Sequence, residues 1–418
     1  MIFSGFEAAQ YLLWLIVLVW LVSVLLTLYV LNSRTPLAPT DDSAIRNDAA
    51  PFVSILVAAR NEEHRVLAQS IRSILAQDYE QFEVIAVDDR STDATASILK
   101  SLAAVDDRLK VIEGKALPTG WLGKPYAMHQ ALTAARGEWI LATDADMLFD
   151  RAALRTAIAA TSAREADALT LIPNFETGSF WERVMIPNWV WVMLMFAITF
   201  RINNPKTQGA LGIGGFFLMR RKVLDQLGGY ERLKDEVLED VRLAEMIKRS
   251  GGILVAEYAP RLVSTRMYRT FAEMWESCTK SWFAGMKFSL AFAMVGVLWV
   301  YLIAVVPPLV TVASAVMIVT GASAEVWEML IPAAAGWALQ IVVLMIVSVK
   351  CEISSVYGLT APLGLALLYG MLLDSSLRIT VGKGVMWKGR RVYDRGGVSP
   401  PQLGCYLSRV SQDSPSQR

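Results

Sequence analysis

From Tyr11 to Leu31 the chain reads YLLWLIVLVWLVSVLLTLYVL, without a single charged side chain. As a helix this run reaches about 30 Å, the thickness of a hydrocarbon core. Glu7 but no Lys or Arg precedes it, and no small-residue cleavage site follows, so it reads as an anchor rather than a removable leader. Charge vanishes again between Lys287 and Glu325, between Glu328 and Lys350, and between Glu352 and Asp374. Two of these windows have the length of one span. The first is longer and interrupted by Pro307-Pro308, so it is either one kinked helix or two short membrane segments. Composition agrees, since 54% apolar and 19% charged residues leave too little polar surface for a soluble chain of this size.

The charge balance excludes one broad class. Forty Lys and Arg against 39 Asp and Glu leave a net charge of +1, which provides no overall field to gather nucleic acid. Cys278, Cys351 and Cys405 are far apart, and His64 and His129 are the only histidines, which argues against a disulfide scaffold and a zinc site. After Asp374 come Arg378, Lys383, Lys388, Arg390, Arg391 and Arg395, which the positive-inside rule assigns to the cytoplasm. If the middle of the chain is cytoplasmic too, an even number of crossings separates them. A double crossing around Pro307-Pro308 or a re-entrant segment would both satisfy that parity.

Between about 50 and 285 the composition turns ordinary. Apolar runs VSILVAA (53–59), FEVIAVDD (82–89), LKVIEG (109–114), WILATDAD (139–146) and DALTLIP (167–173) alternate with helical patterns at Val66 to Gln77, Pro125 to Arg136 and Arg151 to Arg164. Continuous apolarity marks strands buried on both faces, hence an α/β domain with a mainly parallel sheet, whose ligands bind beyond the carboxyl ends of the strands. There the first strand runs into Ala58, Arg60 and Glu62, and the second into Asp88-Asp89. Two adjacent carboxylates closing an apolar strand can accept from a ribose or base. Ser91-Thr92-Asp93 equally suits an N-cap for the next helix.

The fourth strand ends Thr143-Asp144-Ala145-Asp146, where a strand giving way to a turn brings both carboxylates to one hard cation. The glycine-rich passage Gly209 to Gly215, with Gly214 and Gly215 at its end, lets backbone approach a ligand closely. It lacks the spacing of a dinucleotide fingerprint or a P-loop. A helix is expected over Asp235 to Arg249, and Glu239-Asp240 in its first turns is either a favourable helix-dipole charge or a general base. Phe180 to Ile202 is apolar and tryptophan-bearing but too short to span, and suits a helix at the bilayer interface.

Taken in order, VSILVAARNE, VDDRSTD, GWLGKP, TDAD, GGFFLMR, LED and KSW resemble membrane-bound family 2 glycosyltransferases of GT-A fold. Within that family the chain is most similar to ceramide-glucosyltransferase-like enzymes and to bacterial enzymes associated with hopanoid and carotenoid glycosylation. The resemblance covers about residues 50–285 and extends to the flanking membrane segments. It implies that Ala58, Arg60, Glu62 and Asp89 contact the nucleotide, with Lys124 nearby. It also implies that Asp144 binds ribose and metal, and that Asp146 holds Mg²⁺ or Mn²⁺ on the diphosphate. Asp240, with Glu239 as the alternative, would take the proton of the acceptor hydroxyl in a single inverting displacement.

One motif departs from the family. Where processive relatives carry Q-x-x-R-W, this chain has Cys278-Thr279-Lys280-Ser281-Trp282, with Lys280 the nearest cation and Trp282 kept. That argues against a processive polysaccharide synthase, which would also need more membrane helices. The resemblance therefore implies a nucleotide-sugar donor, a UDP-sugar by expectation, and a membrane lipid acceptor at the cytoplasmic face of a bacterial inner membrane. Nucleic acid is not an expected partner. A non-catalytic membrane partner with a degenerate fold fits poorly with Asp89, Asp144, Asp146 and Asp240 all present. The expected layout is an anchor over 1–31, a linker over 32–50, a GT-A domain over 51–286 with the interfacial helix near 180–202, three or four membrane segments over 287–376, and a basic cytoplasmic tail over 377–418.

Overall fold

The computed structural model describes residues 5–33, 35–40, 50–321, 325–395 and 398–400. Cys405, most of the expected linker and the end of the expected tail lie outside the described residues. Two compact units emerge: Pro36–Glu176, Ala197–Met267 and Ile379–Arg418 form one, and Met1–Thr35, Thr177–Phe196 and Tyr268–Arg378 the other.

The first unit is built on a seven-stranded sheet. Its order is β3 (Leu109–Glu113), β2 (Phe82–Asp88), β1 (Val53–Ala59), β4 (Trp139–Asp144), β8 (Phe217–Arg220), β6 (Ala168–Ile172) and β9 (Leu254–Tyr258). All neighbours run parallel except β8, which is antiparallel to both β4 and β6. A small sheet of β5 (Met147–Phe149), β10 (Val263–Thr265) and β7 (Asn174–Phe175) lies beyond the end of β4 in sequence.

Both faces of the main sheet are covered, which is why its strands are apolar throughout. Val53, Ile55 and Val57 of β1 pack with Leu67, Ile71 and Ile74 of α2 (Leu67–Leu75), Leu99 and Leu102 of α3 (Thr95–Ala103) and Leu154 and Ala157 of α5 (Ala153–Ala163). On the opposite face, Leu56, Ile85 and Val87 meet Ala127, Met128 and Ala131 of α4 (Gly123–Ala134). Leu224 of α7 (Arg221–Gln226) and Leu243, Ala244 and Ile247 of α8 (Glu239–Arg249) complete that layer. The spacing of Leu67, Ile71 and Ile74 is that of one helix face.

Helix α8 begins four residues later than the spacing predicts. The Tyr393 hydroxyl donates to the Asp235 carbonyl at 2.9 Å and its oxygen accepts from Val237 N at 3.2 Å, so the backbone that would open the helix bonds elsewhere. Tyr393 belongs to a hairpin of β11 (Lys383–Trp387) and β12 (Arg390–Asp394), in the stretch expected to be only a cytoplasmic tail.

The second unit is helical: α1 (Gly5–Ser33), α6 (Phe180–Thr199), α9 (Phe271–Gly285), α10 (Leu290–Val300), α11 (Val306–Val319), α12 (Val326–Lys350) and α13 (Ala361–Thr380). Four stretches are long and apolar enough to cross a membrane: Phe6–Ser33, Leu290–Val319, Val326–Lys350 and Ser355–Thr380. A π-helical turn, Tyr301–Val305, joins α10 to α11, so the window around Pro307-Pro308 is one helix and not two short segments. The widened turn falls just before the prolines, where their missing N–H groups interrupt the ladder.

Past the end of α12 the chain turns back along that helix. A Cβ on Gly358 would lie 2.7 Å from Met345 N and 3.0 Å from the Ile341 carbonyl. Gly358 is thus pressed against α12 more than a turn before its end. The expected interfacial helix is α6, and its first half is buried: Trp191 stacks on Trp20 of α1 at 5.1 Å, and Asn188 lies against Gly364 of α13.

Candidate active site

Register aligns the carboxyl ends of the central strands, setting Ala59 opposite Asp88 and Ala58 opposite both Val87 and Asp144. Each flanking strand then turns sharply, with Asn61 at φ 50° and Arg90 at φ 54° in the left-handed region. The two turns are stitched together: Asn61 N donates to Ser91 Oγ at 3.1 Å, and Thr92 N to Asn61 Oδ1 at 3.0 Å. Asp93 accepts from Thr95 N at 3.0 Å while Ala94 occupies the cap position of α3, so the SxD turn organises the loop without being the cap itself.

Glu62, Asp88 and Asp89 are buried at the edge of this cleft. One oxygen of Asp88, Oδ1, has no hydrogen-bond partner among the described residues, an arrangement that a ligand donor would relieve. The Arg60 guanidinium donates to the Asp89 carbonyl at 2.6 Å and the Arg90 carbonyl at 2.9 Å, and burial followed by the charge of Arg390 lowers its pKa. Ala58 packs on the α4 face of the sheet at the strand end.

At the end of β4, Asp144 accepts from Lys124 Nζ at 2.7 Å, and the same ammonium lies 2.7 Å from Glu239 Oε1. Burial would lower the Lys124 pKa, but Asp144 and Glu239 outweigh it and hold the amine well above its ordinary value. Asp146 pairs with Arg65 at 2.6 Å. Its carboxyl is nonetheless raised to about 6, by burial first and by the neighbouring Asp144 charge second. Among the described residues, no group of three or more His, Cys, Asp or Glu side chains is arranged to hold a metal ion by itself. Two mutually repelling carboxylates suit a hard cation that draws its remaining ligands from diphosphate oxygens and water, as Mg²⁺ commonly does.

Asp240 opens α8, with Oδ1 accepting from Val241 N at 2.8 Å and Oδ2 from Gly214 N at 2.7 Å. The glycine passage is there for this contact. A Cβ on Gly212 would stand 2.2 Å from the Asp240 carbonyl, and one on Gly214 3.0 Å from Lys124 Nζ and 3.1 Å from Asp240 Oδ2. Gly215 is pressed against the Met147 sulfur, and its carbonyl accepts from Thr143 at 2.7 Å. The close approach expected of these glycines is thus to Asp240 and Met147, side chains of the cleft itself. Burial, then the Glu239 charge, raises Asp240 to about 6, with Lys124 opposing. Of the adjacent pair, Glu239 is ion-paired with Lys124, while the hydrogen bonds of Asp240 among the described residues come from backbone N–H groups.

Lys280 and Trp282 lie on α9 in the helical unit, where Trp282 packs edge-on against Tyr369 at 5.8 Å. The cleft carboxylates belong to the α/β unit. Its hairpin instead brings two cations that motif reading missed: Arg390 reaches Asp89 Oδ2 at 2.6 Å and Oδ1 at 3.2 Å, and Lys388 pairs with Glu62. A Lys-Gly pair between VMW and RRVYD was their only signal.

A mostly parallel sheet with an acidic cleft beyond its strand ends, flanked by membrane-length helices, defines a membrane-associated α/β domain of GT-A type. The Glycosyl transferase family 2 model matches residues 54–228, and the chain carries a domain of that family. It is 47% identical over 98 residues to the beta-monoglucosyldiacylglycerol synthase of Nostoc sp. strain PCC 7120, covering 23% of this chain and 20% of that protein. It is 30% identical over 234 residues to the 4,4'-diaponeurosporenoate glycosyltransferase of Staphylococcus aureus strain USA300, covering 54% of this chain and 60% of that one. The chain thus spans less than two thirds of either relative. Among solved structures, a mannosyltransferase of Pyrobaculum calidifontis, in complex with GDP-Man and Mn²⁺, aligns at 16% identity with a TM-score of 0.49, over 88% of this chain and 98% of that one.

Proposed function

We propose that this protein is an inverting glycosyltransferase that moves one sugar from a nucleoside-diphosphate donor, a UDP-sugar in this reading, to the hydroxyl of a membrane lipid. The observation that carries it is the Asp240 carboxylate, fixed by the Gly214 N–H and raised to about 6, in the cleft that holds Asp144 and Asp146. Such a carboxylate is ionised at neutral pH yet basic enough to take a proton. As the acceptor oxygen bonds to the anomeric carbon, its proton passes to Asp240 and the bond to the diphosphate oxygen breaks. Attack from the face opposite the leaving group inverts the configuration.

Asp144 and Asp146 would hold Mg²⁺ or Mn²⁺, which when bound offsets charge on the departing nucleoside diphosphate. Asp88 and Asp89 are placed to accept from ribose or base. Lys124 offsets part of the charge of Glu239 and Asp144 beside the reacting centre. A lipid acceptor suits the four membrane-length helices and the names of the two relatives, a beta-monoglucosyldiacylglycerol synthase and a 4,4'-diaponeurosporenoate glycosyltransferase.

Orientation follows from the hairpin. Because it belongs to the α/β unit, an even number of crossings separates it from the end of α9. The fold-back at Gly358 supports reading Ser355–Thr380 as the non-crossing stretch, with Leu290–Val319 and Val326–Lys350 as the two crossings. The cleft then faces the cytoplasm of a bacterial inner membrane, in line with the positive-inside rule.

The test is turnover by the purified full chain in mixed lipid extract, offered UDP- and GDP-sugars with Mg²⁺ or Mn²⁺. A lipid mass increased by one sugar, absent with Asp240→Asn and abolished by chelation, is the expected result. Donor binding without a new lipid mass would overturn the lipid acceptor.

A further inference from the structure

The hairpin has a tight turn of unusual chemistry. Trp387 pairs with Arg390, leaving Lys388 and Gly389 as the two loop residues at φ 45° and φ 74°. Positive φ at both positions is the type I′ pattern, which favours Asn, Asp or Gly at the first. A lysine there is strained, and turn formation gives no reason for it. Its ammonium pairs with Glu62, and its carbonyl accepts from Arg60 Nε at 3.4 Å.

Arg390 follows, with a forked grip on Asp89. It packs on Gly123, where a Cβ would stand 2.3 Å from Nη1, so the glycine of the GWLGKP motif leaves room for this guanidinium. Tyr393, buried at 1% exposure, fixes the hairpin to Asp235 and Val237, a few residues before Asp240. One element of the tail therefore reaches both the nucleotide end and the Asp240 end of the cleft.

Charge gives this placement a purpose. The cleft gathers the acidic side chains Glu62, Asp88, Asp89, Asp144, Asp146, Glu239 and Asp240. Against these seven, the rest of the domain sets four cations, Arg60, Arg65, Arg90 and Lys124. Arg60 is spent on backbone carbonyls, Arg90 lies 3.5 Å from Asp89, Arg65 serves Asp146 and Glu62, and Lys124 serves Asp144 and Glu239. A diphosphate entering so acidic a cleft is repelled unless further cations come with it. An arginine fork fits phosphate as it fits carboxylate.

We infer that Lys388 and Arg390 are donor-binding residues: parked on Glu62 and Asp89 in the donor-free chain, they transfer to the diphosphate oxygens when the nucleotide engages those carboxylates. They would supply a guanidinium, where the Cys278-to-Trp282 stretch offers only the ammonium of Lys280. This inference rests on the nucleotide-sugar reading above.

The test is calorimetric titration of the full chain in detergent, with Mg²⁺, using UDP, GDP and uridine as probes. Arg390→Ala should weaken binding of the preferred diphosphate by at least about tenfold, the loss of a charge-assisted contact. Lys388→Ala should act in the same direction, Arg390→Lys should fall between, and uridine affinity should stay unchanged. Lys388 sits at a partly exposed turn, so its variant serves if Arg390→Ala does not fold. Unchanged diphosphate binding in both alanine variants would make the hairpin a structural wall and overturn the inference. Tighter binding would make it a plug that the donor displaces, and would overturn it equally. If the native chain bound neither UDP nor GDP, the donor reading itself would fall and take this inference with it.

Discussion

In the proposed mechanism, Asp240 is the residue on which the chemistry turns. Its carboxyl is raised to about 6, and the base acts only when ionised, so kcat/KM is expected to fall as pH drops through about 6 and to level off above it. Asp240→Asn should remove that limb and about 10² to 10⁴ of the rate while leaving nucleotide affinity near the native value. A pH–rate profile of both proteins with saturating lipid checks this, and a native profile flat from pH 5 to 7 would count against the assignment. Asp88, Asp89, Asp144, Asp146 and Asp240 were legible in the sequence because acidic residues at the ends of apolar strands or at a helix start have few structural uses. Arg65, Lys388 and Arg390 were not, since a cation on a loop or tail looks the same whether it faces water or a carboxylate. The same two hairpin cations also counted toward the positive-inside signal, so part of that signal belongs to the cleft.

At the scale of elements, β1, β2, β3, β4 and β6 were readable from continuous apolarity, because strands covered on both faces have no polar side to show. The start of α8 was not, because its first expected turn gives its backbone bonds to Tyr393, more than 150 residues away in sequence. The kinked helix across Pro307-Pro308 could not be told from two short segments, since proline marks an interruption and says nothing of whether a π-turn absorbs it. Under the proposed orientation, parity puts the non-crossing stretch after α12. In a background without native cysteines, Thr320→Cys should react with an impermeant thiol reagent from outside intact cells, whereas Glu352→Cys and Ser399→Cys should react only after the membrane is opened. Labelling of Ser399→Cys from outside would mean three crossings.

For the whole molecule, the chain passes between its two units at Thr35–Pro36, Glu176–Thr177, Phe196–Ala197, Met267–Tyr268 and Arg378–Ile379. The helical unit is therefore threaded through the α/β sequence and is not an appendage at either end. Hydrophobic patterning located α6 but could not say which unit would cover it. A fragment of residues 51–286 should expose Trp191 and Trp282, which are buried at 7% and 9% exposure, and should aggregate in size-exclusion chromatography where the full chain in detergent does not. A monodisperse, soluble fragment would contradict the division. The most direct test of the central claim is the anomeric configuration of the glycolipid formed from an α-linked nucleotide-sugar, read from its anomeric proton by NMR. Single displacement assisted by Asp240 predicts a β-linked sugar, and an α-linked product would contradict it.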